Sequence, residues 1–99
     1  MSFDERLKSD TFDALFQAVL SLKSLEECYM FFEDVCTISE LQAMAQRMEV
    51  ATMLIDKNTY QEISKLTGAS TATISRVNRC VAYGTGGYAL TLDRTRQPE

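Results

Sequence analysis

Between Ser70 and Arg79 the chain gathers groups that bind phosphates and base edges. Ser70, Thr71, Thr73 and Ser75 carry hydroxyls, Asn78 an amide, and Arg76 and Arg79 guanidinium groups. Hydroxyls and amides read base edges in a DNA major groove, and guanidinium forks onto phosphate or guanine. Other chemistry is poorly supplied. The chain has no histidine, which removes the commonest general base and the commonest metal ligand. No Asp or Glu pair stands out from the background of helix surfaces, so no catalytic residue is assigned and an enzyme is the weaker class. Cys28, Cys36 and Cys80 form an odd set without CxxC spacing. That argues against a zinc site or a disulfide framework, and a reducing cytoplasm is the simplest compartment.

The binding groups need a helix to hold them, and the segment Thr59–Tyr83 reads as a helix-turn-helix. Two short helical patterns meet at Gly68-Ala69-Ser70, with Ile63, Thr67, Ala69, Ile74 and Val77 where the helices must touch. The second helix, Thr71–Tyr83, then turns its hydroxyl, amide and guanidinium face to solvent. Three hydroxyl-bearing residues in its first turns lower helix propensity for no packing gain, which favours a contact role over an ordinary solvated face.

Upstream, Asp10 or Thr11 is expected to cap a first helix with the stripe Phe12, Leu15, Phe16, Val19 and Leu20. Ser24 with Glu27, Thr37 with Glu40 and Thr59 with Glu62 each make a capping box, opening three further helices. Gly68 suits a left-handed helix end, and Ser70 can cap the next helix. Tyr88 to Asp93 is expected to form one more turn or a short helix, with 94–99 a flexible tail. No segment alternates with period two, so the fold is read as all-α, one domain over residues 1–99.

The long helix, roughly Ile38 to Asp56, is apolar on more than one side through Leu41, Met44, Met48, Val50, Ala51, Met53, Leu54 and Ile55. Such a helix is buried all round, which implies a partner chain. We therefore expect an interlocked homodimer, whose two motifs suit a palindromic duplex. No stretch is long enough to cross a bilayer, and MSFDERLKSD has neither the basic nor the apolar part of a secretion signal.

The net charge of −4 hides an asymmetry. Residues 1–56 hold four basic and eleven acidic groups, a balance of −7, and residues 57–99 hold six basic and three acidic, a balance of +3. The basic half carries the proposed reading helix, and a local positive face attracts phosphates whatever the total.

The runs CTISELQAMAQRMEVATMLI, GAS-TATISR and GTGGYALTLDR resemble the Trp repressor superfamily, and within it the YerC/YecD-type subgroup. The resemblance runs from about Leu15 to Cys80, and it implies an intertwined all-α homodimer that binds operator DNA, with repression as the regulatory sign. Ser70, Thr71, Ala72, Thr73 and Ser75 match the family's operator-contacting positions. Gln61 and Lys65 resemble its backbone-facing ones. Thr37, Arg47 and Arg76 match three groups of the tryptophan corepressor pocket, and Cys80 stands where a serine would be. Val77 replaces a glycine beside the second arginine. Cysteine is a poor acceptor for an ammonium group and valine takes room, so a different effector, or none, fits better than tryptophan.

Alternatives remain open at this point. Arg76 and Arg79 could be surface arginines, and Arg47 could pair with Glu40, Glu49 or an acid of a partner chain. The helix pair could also dock on protein without touching DNA, as an interaction or assembly module.

Overall fold

A computed structural model describes residues 3–96. Among these the chain forms a 3-10 turn, Glu5–Leu7, and six α-helices: α1 Asp10–Leu20, α2 Leu25–Val35, α3 Ile38–Ile55, α4 Tyr60–Thr67, α5 Thr71–Tyr83 and α6 Gly87–Thr95. The chain divides into two compact units, Met1–Leu41 and Gln42–Glu99. No helix is long and apolar enough to cross a membrane.

The first unit is built from local signals. Asp4 accepts the backbone N–H of Arg6 at 3.0 Å and both arms of its guanidinium at 3.0 and 2.9 Å, closing the 3-10 turn. The cap of α1 is Ser9, whose hydroxyl accepts the N–H of Phe12 at 3.0 Å, and not Asp10 or Thr11. Ser9 sits in extended backbone one step before the helix, which leaves Asp10 and Thr11 as its first helical residues. At α2, Ser24 accepts from Glu27 N–H, but the Glu27 carboxylate takes the N–H of Lys23 at 2.8 Å. The reciprocal half of that capping box is displaced by one residue. Phe12 and Phe16 stack with ring centroids 6.2 Å apart. No described residue of this unit is fully buried.

Thr37 and Glu40 complete the box that opens α3, with bonds of 3.1 and 2.8 Å. The apolar core lies farther along the chain. Val50 and Ala51 of α3, Ile63 of α4, Ala69 of the turn, and Ile74 and Val77 of α5 form it, with Met53, Leu54, Val81 and Tyr88 packed against it. Val50 and Ala51 are the only buried residues of α3, and its N-terminal end is wet, with Ile38 74% exposed.

Between α3 and α4 the chain turns through Lys57 in the left-handed region (φ 69°), and Asn58 donates both its backbone and side-chain N–H to the Met53 carbonyl. α6 is longer than expected. Arg94 and Thr95 belong to it, and Arg96 follows as its C-cap. The Arg96 guanidinium forks onto Asp56 at 2.8 and 2.9 Å, tying this helix end to the end of α3. The rest of the expected tail, residues 97–99, lies outside the described residues.

Candidate nucleic-acid interface

The devices that build the α4–α5 corner are short-range chemistry, with one tie from α3. Thr59 and Glu62 form a full capping box at the start of α4. Gly68, at φ 75°, ends the helix in the left-handed region, where a side chain would be strained. The hydroxyl of Thr67 donates to the Ile63 carbonyl at 2.7 Å and accepts the N–H of Ala69 at 3.1 Å. From α3, the Gln46 side-chain amide donates to the Thr67 carbonyl at 3.2 Å. Ser70 then caps α5 by accepting Thr73 N–H at 3.1 Å.

With Ile74 and Val77 facing the core, helical spacing puts Ala72, Arg76 and Arg79 on the opposite side, and all three are exposed. Ser70 and Thr71 are exposed as well, while Thr73, Ser75 and Asn78 are half-buried on the flanks. The Ser70 hydroxyl also donates to the Thr73 hydroxyl oxygen at 3.1 Å, which leaves the Thr73 proton free to donate outward. On α4, Gln61 and Lys65 are exposed four residues apart. Together with Tyr60, Ser64 and Thr71 they line a shallow depression of about 360 Å³. Tyr60 and Ser64 were missed in the sequence, although they repeat the four-residue spacing of Gln61 and Lys65 one step earlier.

Among the described residues, the basic groups on this face have no ion-pair partner. The ion pairs among the described residues join Arg6 to Asp4, Lys8 to Asp13 and Arg96 to Asp56. None uses Lys65, Arg76, Arg79 or Arg47. The one carboxylate of α4, Glu62, is occupied at the cap. The Thr59 backbone N–H, and then its hydroxyl, hold that carboxyl below the usual range, so it stays ionised. A phosphate approaching Lys65 or the α5 arginines would therefore displace no carboxylate partner.

The candidate effector residues are placed differently. Thr37, in the first unit, accepts the Glu40 N–H at the α3 cap. In the second unit Arg47 is half-buried and Arg76 is exposed. The exposed Cys80 thiol lines an apolar depression of about 530 Å³ with Met48, Gly84, Thr85, Gly87, Tyr88 and Thr91, and neither arginine takes part in that lining. Val77 is 1% exposed and belongs to the core.

Comparison with known proteins gives the family and the fold. The Trp repressor protein family matches residues 10–96. The uncharacterized protein YerC of Bacillus subtilis is 56% identical over 95 residues, covering 96% of this chain and 91% of the relative. A TrpR-like protein from Eubacterium eligens superposes with a TM-score of 0.90 at 53% identity, covering 97% of this chain and 99% of that one. A chain from Staphylococcus aureus gives 0.88 at 47% identity, covering 92% and 91%.

Proposed function

The chain belongs to the Trp repressor protein family, and on that premise we propose that it is a sequence-specific, DNA-binding transcriptional regulator. It acts as an intertwined homodimer on a palindromic operator, and the regulatory sign taken from the family is repression. The observation that carries this reading is the outer face of the α4–α5 corner. There Lys65, Arg76 and Arg79, which have no carboxylate partner among the described residues, share a corner with the hydroxyls of Ser70, Thr71 and Thr73 over a buried core. The N-terminal residues of α5 meet base edges, and Gln61, Lys65, Arg76, Asn78 and Arg79 meet the backbone.

Two features support the dimer. One copy leaves Leu20, Leu25, Tyr29 and Ile38 each more than 70% exposed, and its first unit has no buried residue among those described. Apolar surface on that scale marks a face that another chain covers. In addition, a single corner offers few phosphate contacts, and pairing two of them multiplies a modest affinity.

Selection of bound duplexes from a random pool tests the reading. An enriched palindrome with half-sites about one helical turn apart is the expected result. Failure to enrich any duplex at low salt would overturn it and favour docking of the helix pair on protein.

A further inference from the structure

Within the second unit, two positions depart from the tryptophan pocket that the family resemblance implies. Val77, standing where the family has glycine, spends its side chain in the core at 1% exposure. Cys80 faces an apolar depression that neither Arg47 nor Arg76 lines. The same region shows what could replace a ligand. The Gln46 amide, on α3, donates to the Thr67 carbonyl, the last helical residue of α4. Four residues on from Gln46, Val50 enters, with Ala51, the buried cluster that also holds Ile63, Ala69, Ile74 and Val77. One helix thus meets the corner by a hydrogen bond at the turn and by sharing its buried cluster. Valine at position 77 also stiffens α5, because glycine in a helix interior is the most permissive residue the backbone can carry.

We propose that the chain itself, through Gln46 and Val77, holds the α4–α5 corner in its binding pose, so that no small-molecule corepressor is needed to set it. Gln46 acts as a positioning residue, through the turn, and touches no DNA. This rests on the DNA-binding reading above for its consequence but not for its test, because the pose of the corner is measurable in the free protein.

Hydrogen exchange on the full-length protein without any ligand is the experiment. The amides of Gly68, Ala69, Thr73 and Ile74, all hydrogen-bonded at the corner, should be protected, and adding millimolar L-tryptophan or a panel of other amino acids should not change them. Gln46→Glu keeps the size of the side chain but turns a carboxylate onto the Thr67 carbonyl. It should speed exchange at Gly68 and Ala69 about tenfold while leaving the amides of α1 and α2 alone. Val77→Ala, a variant milder than Val77→Gly, should do the same at Ile74. In DNA binding, Gln46→Glu should lower affinity for the selected duplex and spare affinity for random DNA, which a general loss of folding would not do. Corner amides that exchange freely until an amino acid is added would overturn the proposal. So would a Gln46→Glu variant that exchanges like the wild type. Protected corner amides with no duplex enriched would sink the DNA reading and still uphold the self-set corner.

Discussion

At the level of single residues, the candidate interface separates groups that can discriminate bases from groups that can only attract phosphate. Thr73 and Ser75 flank the exposed stripe of α5 near its N-terminus, and the Thr73 hydroxyl oxygen accepts a hydrogen bond from the Ser70 hydroxyl. On the proposed reading, replacing either by alanine would remove a base-edge contact with little effect on the buried stripe of Ile74 and Val77. Thr73→Ala and Ser75→Ala should each weaken binding to the selected duplex by about 1–3 kcal/mol, with unchanged thermal unfolding. Competition titrations against random DNA measure this, and equal losses on both DNAs would remove these residues from base reading. Lys65 carries a full charge and no sequence information. Lys65→Ala should weaken binding to all duplexes alike and reduce the slope of log K against log salt by about 1 per neutralised phosphate. An unchanged slope would take Lys65 off the backbone.

At the level of elements, what could be read from sequence was what acts within three or four residues. The capping boxes at Thr37 and Thr59, the left-handed Gly68 and the Ser70 cap all stand where the residue types put them, because each bond spans one helical turn. The start of α1 was misplaced because Ser9, Asp10 and Thr11 are three capping residues in a row, and the register of Phe12 decides among them. Asp56 and Arg96 were out of reach, since their pairing joins positions 40 residues apart. Gln46 was passed over for the same reason, its partner lying 21 residues away. Tyr60 and Ser64 share the four-residue spacing of Gln61 and Lys65, but only the fold shows that all four line one depression with Thr71. The caps also make an acid-stability prediction. Hydrogen bonds from Thr37 and Thr59, backbone first and hydroxyl second, hold the Glu40 and Glu62 carboxyls below their ordinary value, and the Arg96 guanidinium does so for Asp56. Groups depressed in the folded state give stability that is present above the unfolded pKa and lost as pH falls through the folded one. Unfolding midpoints should therefore drop below about pH 4, where free carboxyls begin to protonate. Glu62→Gln keeps an oxygen acceptor for the Thr59 N–H without its titration, and should flatten part of that acid limb in denaturant melts. A variant with the wild-type pH profile would show that the Glu62 cap does not contribute.

For the whole molecule, the distribution of burial is the strongest constraint on how the chain lives in solution. The six core residues that are almost fully buried lie between Val50 and Val77, although the described chain starts at residue 3. Helices of 11 residues, such as α1 and α2, are marginal in water unless an apolar face is covered. Leu20, Leu25 and Tyr29 are each more than 70% exposed, and a leucine gains about 1.5–3 kcal/mol when fully buried. A few such residues on each of two chains match the net stability of a small domain, so folding of the first unit and association should be one transition. Two results follow. The unfolding midpoint should rise with protein concentration, by mass action, over a dilution series followed by circular dichroism. A charge placed in the apolar face, as in Leu25→Glu or Tyr29→Glu, should shift sedimentation to a single copy and remove helical signal equivalent to α1 and α2, while the corner amides of α4 and α5 keep their exchange protection. Operator affinity should then fall far more than random-DNA affinity, because one corner retains its phosphate contacts but loses its symmetric mate. A concentration-independent midpoint together with a monomeric, fully helical wild type would refute the dimer, and the operator would have to be read by a single corner.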